Sequence, residues 1–177
     1  MKVRVVQYNP EWPAMFAAGA AQLSAVFGHH LVAIHHIGST SVPGLKAKPI
    51  IDILPVVDDI TVVDKLTPEM AALGYEGLGE YGLPGRRYFR KGGDNRTHQV
   101  HAYDITSAKE IGRHLAVRDY LRTHPAVARE YGELKELLAR QYPEDITGYS
   151  NGKDAFVKAL EREALEWRRR LYQDFSE

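Results

Sequence analysis

The sequence contains no cysteine, has no net charge and lacks a long hydrophobic run, and each absence excludes a class of protein. Without cysteine, disulfide bonds and thiolate metal sites are excluded. Because 23 basic residues balance 23 acidic ones, bulk charge provides no attraction to nucleic acid or to a membrane surface. No apolar stretch reaches the ~18 residues that a membrane span needs, and the N-terminus lacks the apolar segment of a secretion signal. We therefore expect a cytoplasmic protein without membrane contact, for which a nucleic-acid partner is disfavoured.

The composition is otherwise that of an ordinary folded domain. The chain has 177 residues, of which 44% are hydrophobic and 26% charged, and this is enough to bury a sizeable core. There is no internal repeat, low-complexity segment or linker. We therefore expect a single domain that spans residues 1–177.

Hydrophobic periodicity and turn residues predict the secondary structure. A first helix ends at Phe27, strands follow, and helices dominate from Ser107 onward. This order indicates an α+β fold, with a mixed sheet of four to five strands flanked by helices and a helical C-terminal third. The predicted strands are 31–37, 50–57, 85–91 and 97–103, and the predicted later helices are 60–73, 109–123, 126–141 and one that starts near residue 151.

The stretch between the first two strands has the composition of an anion-binding loop. Gly38, Ser39, Thr40 and Ser41 offer backbone N–H groups and three hydroxyls, and Lys48 adds positive charge close by in the chain. The length of the loop and the placement of its lysine do not match the Walker A pattern GxxxxGK[ST]. The alternative interpretation is a polar turn between two strands.

Asp52 is a single acid inside the second apolar strand. A carboxylate flanked by Ile51 and Ile53 is costly to bury unless it has a strong partner. Carboxylates suit Mg²⁺, which commonly takes one or two of them together with substrate phosphates. We interpret Asp52 as a catalytic metal ligand; the alternative is a structural aspartate bound to backbone N–H groups or to Lys48.

Two histidines of the segment THQVHAY have the spacing of a metal-binding pair. On a strand, however, His98 and His101 point to opposite faces, so both cannot hold one ion. His101 shares its face with Gln99 and Tyr103, and we favour it as the histidine of the site. The alternative is a structural, hydrogen-bonded histidine.

A row of cationic side chains follows one side of the predicted helix 109–123. His114, Arg118 and Arg122 are spaced four residues apart and adjoin the apolar stripe of that helix. Arginines beside a core face suit the recognition of phosphate or carboxylate groups. The alternative is structural ion pairing with Asp119 or Glu110.

Two further residues near the start of the last helix, Lys153 and Tyr149, are candidates for the same pocket. We expect Asp52, His101 and the glycine-serine loop to converge on one cleft, with Arg118 facing it. A distance of more than ~10 Å between Asp52 and the loop would contradict this, because one phosphate group and one metal ion could not then contact both.

Several motifs together resemble those of the GrpB family of uncharacterised proteins, which has a nucleotidyltransferase-like fold. They are HIGSTSVPGLKAKPIIDI, GRRYFRK, the two-histidine segment, VRDYLRTHP and EYGELKELL. The resemblance extends from Tyr8 to Phe156. Family members also occur fused to a dephospho-CoA kinase, which indicates a nucleotide or coenzyme A context.

The resemblance implies roles for the loop and for Asp52. Gly38 and Ser39 would bind the phosphates of a nucleoside triphosphate, and Asp52 would hold Mg²⁺. The metal would stabilise in-line attack of an acceptor hydroxyl on the α-phosphate. Lys48, Lys153, Arg118 and Arg122 would bind the remaining anionic groups, and His101 would be a ligand or a base.

The sequence departs from the nucleotidyltransferase pattern at its second acid. That pattern is acid-x-acid, but here Leu54 stands at the second position. The third acid belongs on a later strand, where this chain has His101, or Asp104 close by. Two hypotheses follow: a nucleotidyltransferase that uses Mg²⁺ and a nucleoside triphosphate, and an inactive module that binds a nucleotide or another phosphorylated metabolite.

Overall fold

Five strands form one mixed sheet in the computed structural model, which describes residues 1–174. They are β1 (Leu31–Ile37), β2 (Ile51–Val57), β3 (Tyr75–Gly77), β4 (Arg87–Lys91) and β5 (His98–Asp104). Their order across the sheet is β1-β2-β5-β4-β3, and β2 and β5 pair in parallel whereas the other neighbours are antiparallel. The predicted α+β class with a mixed sheet of four to five strands is confirmed.

Helices cover both faces of this sheet. The first three lie on one face, where Trp12, Leu23 and Met70 join its main apolar cluster. The others lie on the opposite side and bury Val42 and Leu45, which follow the glycine-serine loop. None of the helices within residues 1–174 is long and apolar enough to cross a bilayer. The helices are α1 (Trp12–Phe27), α2 (Ile60–Asp64), α3 (Thr67–Ala72), α4 (Ala108–Thr123), α5 (Pro125–Gln141) and α6 (Ile146–Asp174).

Strand β2 lies inside the sheet and is buried on both faces. Ile51 and Ile53, both fully buried, point towards α1. The alternate positions point the other way, and there Leu54 packs in an apolar cluster with Val56 and Tyr103. A strand covered on both sides needs apolar residues almost throughout, which explains the unbroken run that predicted it. Asp52 lies on the same face as Leu54.

The predicted helix 60–73 is wrong in one respect, because the structure divides it into α2 and α3. Pro68 has no backbone N–H with which to continue the hydrogen bonding of a single helix. The carbonyl oxygen of Asp64 accepts instead from the hydroxyl of Thr67, at 3.1 Å. The chain therefore turns between the two short helices.

The predicted start of the last helix near residue 151 is also wrong, because α6 begins at Ile146. Asp145 Oδ1 accepts from the backbone N–H of Gly148 at 2.9 Å and so stabilises the first turn. Gly148 and Gly152, which weaken the helical pattern of the sequence, lie where α6 passes close to Tyr142 and Leu138. Close helix packing therefore outweighs the low helix propensity of glycine.

The buried position of Leu54 generates a prediction about the missing second acid. Leu54→Asp would place a carboxylate among apolar side chains, so we expect a loss of at least about 3 kcal/mol in the free energy of unfolding. The matched variant Leu54→Met should lose less than about 1.5 kcal/mol, because its volume and polarity are conserved. Urea denaturation measures both. Equal stability of the two variants would contradict the structural role given to Leu54.

Candidate functional site

The glycine-serine loop passes directly over Asp52. Ile37, the last residue of β1, pairs with Asp52 on β2, and Gly38 then turns with a φ of 73°. A methyl group at position 38 would lie only 2.6 Å from Asp52 Oδ2. Because this φ and this contact both exclude a side chain, glycine is required here. The expected proximity of the loop to Asp52 is confirmed.

The three hydroxyls of the loop have different partners. Thr40 donates to the carbonyl oxygen of Ile50 and accepts from His36 Nε2, at 3.2 and 3.0 Å. Ser41 donates to the carbonyl oxygen of Gly38 through a short contact. Ser39 instead accepts a hydrogen bond of 2.8 Å from Nζ of Lys135. Thr40 and Ser41 thus fix the shape of the loop, whereas Ser39 meets a cation.

Asp52 contacts His101, as expected from the strand alternation. His101 Nε2 lies 3.0 Å from Asp52 Oδ1, and its Nδ1 lies 3.5 Å from Nη1 of Arg86. Since arginine only donates, Nδ1 accepts and Nε2 carries the proton that Asp52 accepts. His98 lies on the other face of the sheet, beside Gly19 of α1. His101 is therefore positioned by one cation and in turn orients the carboxylate.

A cavity of about 210 Å³ opens beside the loop and Asp52. Three lysines from distant parts of the chain line it: Lys48 ahead of β2, Lys135 on α5 and Lys153 on α6. Nζ of Lys48 and of Lys153 lie 5.3 and 5.2 Å from the ring centre of Tyr149. None of the three lysines has a carboxylate within ion-pair distance among residues 1–174. Positive charge therefore exceeds negative charge in this cavity.

Burial and mutual repulsion act on the protonation of these lysines. Lys135 is 2% exposed, and burial lowers its pKa well below the usual value, with further lowering by Lys153 and Lys48. Burial, then Lys48, lowers the pKa of Lys153 to about 8. Burial also lowers the pKa of Lys48, while the charge of Asp52 opposes the shift. An anion in the cavity would relieve both the desolvation and the repulsion.

Arg118 and Arg122 do not line this cavity. Arg118 Nη1 donates to the carbonyl oxygen of His36 at 3.3 Å, and its Nε pairs with Asp119. Arg122 Nε donates to the carbonyl oxygen of Ser41 at 2.9 Å and borders a separate cavity of about 390 Å³. Arg118 thus does not face the cleft as expected, because its guanidinium is engaged by backbone and by a neighbouring acid. Arg122 thus braces the backbone of the loop, and Arg118 braces the end of β1 that leads into it.

Sequence reasoning placed Gly38, Ser39, Thr40, Lys48, Asp52 and Lys153 in one pocket, and all of them line the cavity. Ser41 lies just behind them, and His101 contacts the cavity through Asp52. Sequence reasoning missed Lys135 and Arg86. A signal for Lys135 was present, since it follows Tyr131 by four residues and precedes Leu138 by three on the buried side of α5.

The donor atoms around the cavity fit the metal pair of nucleotidyl transfer poorly. Asp52 supplies the one carboxylate among the lining residues. Leu54 is fully buried among apolar side chains, and Asp104 holds the start of α2 through the N–H of Ile60. Within residues 1–174 no three histidine, cysteine or acidic side chains are grouped closely enough to hold a metal ion. The other charged side chains that line the cavity are three lysines, which do not supply the oxygen ligands that Mg²⁺ prefers.

Comparison with known proteins gives the family. The model of the GrpB protein family matches residues 2–163. The UPF0157 protein YqkA of Bacillus subtilis (strain 168) is 48% identical over 168 residues, which are 95% of this chain. The match covers 49% of YqkA, so the chain spans about half the length of that relative.

Solved structures give the fold. The crystal structure of the conserved protein GrpB from Enterococcus faecalis has a TM-score of 0.91 and 48% identity, covering 93% of this chain and 99% of that one. The Cid1 poly(U) polymerase with Mg 3′-dATP bound has a TM-score of 0.56 over 84% of this chain and 49% of its own. At 13% identity this second likeness is one of fold alone. The chain therefore belongs to the GrpB protein family and has a nucleotidyltransferase-like fold.

Proposed function

We propose that this protein binds the phosphate group of a nucleotide or of another phosphorylated small molecule in the cavity beside the glycine-serine loop. The observation that carries the proposal is the convergence of Lys48, Lys135 and Lys153 on one cavity with a single carboxylate. Buried ammonium groups are costly unless a counter-charge meets them. A phosphate group supplies that charge and accepts hydrogen bonds from all three lysines.

The loop completes the proposed site. Ser39 already accepts from Lys135, and Gly38 lines the same cavity. Thr40 lines the same wall of the cavity. Arg122 holds the loop carbonyl of Ser41, and Arg118 holds the carbonyl of His36 at the end of β1, so both would act on the phosphate by fixing the position of the loop.

Nucleotidyl transfer to an acceptor is a second candidate function. The contact between Asp52 and His101 beside the loop favours it, because an oriented carboxylate next to a phosphate can hold a charged group or accept a proton. Asp52 is the lining residue that would take Mg²⁺, an ion that neutralises charge developing on a transferred phosphate. The poor fit of the other donors makes ligand binding the better-supported function.

Thermal denaturation tests the proposed function. We expect ATP, CTP, GTP, UTP or coenzyme A, each tested with and without Mg²⁺, to raise the melting temperature under at least one of the two conditions. The rise should reach roughly 5–10 °C at about 100 times the dissociation constant, because a ligand that binds only the folded state stabilises it. If none of the five shifts the transition, the proposed ligand class is wrong.

Replacing Lys135 separates a binding role from a structural one. We expect Lys135→Met to raise the free energy of unfolding by about 1–3 kcal/mol, since it removes a buried charge that has no acidic partner. The same change should weaken binding of a stabilising nucleotide about tenfold or more. Urea denaturation and titration calorimetry measure the two effects.

The matched control is Lys158→Met on the exposed side of α6, where Lys158 pairs with Asp154. It should change stability by no more than about 0.5 kcal/mol and leave binding unaltered. A Lys135→Met protein that is less stable than the wild type would mean that Lys135 is a structural residue.

Ligand affinity should depend on pH through Lys153, whose pKa is lowered to about 8. A bound anion favours the protonated lysine, so the affinity should fall above pH 8, by up to about tenfold per pH unit. By the same linkage, the ligand-free protein should gain stability between pH 8 and 10.5, where unfolded Lys153 keeps a proton that folded Lys153 has released. Calorimetric titrations from pH 6.5 upward measure the affinity. Lys153→Arg, whose side chain stays charged, should flatten the profile, and an unchanged profile would contradict the assignment.

A further inference from the structure

The charge in the cavity is unusual for a fold that handles nucleotides with metal ions. Three lysines face one carboxylate, so the lining carries an excess of positive charge whenever the lysines are protonated. A divalent cation beside Asp52 would add to that excess. Lys48 and Lys153 would repel it, because both already act electrostatically on each other and on Asp52.

The three lysines also reach the cavity from different segments of the chain. Lys135 reaches in from α5 and is held by Ser39 on the loop. Lys48 and Lys153 approach the ring of Tyr149 from two separate segments. A phosphate chain bound between these lysines would contact ammonium groups along its length. Metal ions usually supply this neutralising contact.

The size of the cavity limits what part of a ligand it can enclose. Its volume of about 210 Å³ is below the ~300–1,000 Å³ of sites that enclose a whole drug-sized ligand. The polar lining suits phosphate oxygens better than a nucleobase. The phosphate chain is therefore the part that enters, and the rest of the ligand lies towards solvent.

We propose that the cavity binds the phosphate chain of its ligand without a divalent metal ion, with Lys48, Lys135 and Lys153 neutralising the chain in the metal's place. This inference rests on the proposed phosphate-binding function and specifies how that site works. It predicts that the phosphate chain alone is sufficient for binding. It also predicts that Asp52 weakens binding, because without a metal ion between them the carboxylate and the phosphate repel each other.

Titration calorimetry with sodium tripolyphosphate and with ATP tests the inference, in excess EDTA and again with Mg²⁺. We expect both compounds to bind in EDTA with affinities within about tenfold of each other, and adenosine not to bind. Mg²⁺ should leave the affinity unchanged or weaken it, because it neutralises the ligand before the lysines do. Binding that requires Mg²⁺ would overturn the inference and leave the proposed function intact. If neither compound binds under either condition, the proposed function itself is overturned. If ATP binds but tripolyphosphate does not, the assignment to the phosphate chain is overturned.

The isosteric variant Asp52→Asn should change the phosphate affinity in opposite directions at a metal-free site and at a metal-dependent site. It keeps an oxygen that can accept from His101 and removes the negative charge. In EDTA we expect tripolyphosphate to bind it roughly twofold to fivefold more tightly than the wild type, as for the removal of one partly exposed like charge. A loss of affinity of tenfold or more would overturn the inference. Circular dichroism establishes that the variant is folded, and the wild-type titrations decide the question if it is not.

Discussion

The site depends on one close contact, that of the backbone at Gly38 with the carboxylate of Asp52. Because residue 38 has no side chain and adopts a positive φ, the chain leaves β1 and turns directly above the neighbouring strand. The turn at Gly38 positions the three hydroxyl residues that follow it. Ser39 is presented to Lys135, and the bonds made by Thr40 and Ser41 hold the turn in shape.

Charge is the second constraint on the site, since three lysines and a single carboxylate line the cavity. Lys135 is almost fully buried and has no acidic partner in the described part of the chain, an arrangement that lowers stability in the absence of a ligand. Proteins retain such unfavourable groups where function requires them. In the proposed function the stabilising partner is an anion from outside the protein, whose charge would raise the lowered pKa values of these lysines again.

Leu54 shows that the fold is kept without the second acid of the nucleotidyltransferase pattern. Its side chain fills an apolar cluster between β2 and α4, which contributes to stability at the position where the nucleotidyltransferase pattern has its second acid. His101 takes a position beside Asp52 and donates to it, which leaves the carboxylate oriented by a hydrogen bond. This GrpB chain thus shares its overall fold with the Cid1 poly(U) polymerase, while three lysines and a single carboxylate line its own cavity.

The sequence by itself determined four of the five strands, the loop, the α+β class and the face on which His101 lies. These follow from local periodicity and from the alternation of side chains along a strand. It did not determine which distant cations meet the loop: Lys135 is 96 positions from Ser39, and a helical repeat specifies a buried face but not its neighbour. For the same reason it did not determine the partners of Arg118 and Arg122, which lie on the expected helix but bind the backbone of His36 in β1 and of Ser41 in the loop. Only the packing of α4, α5 and α6 against the sheet decided that three lysines share one cavity with Asp52, since convergence is a property of tertiary contacts and not of spacing along the chain.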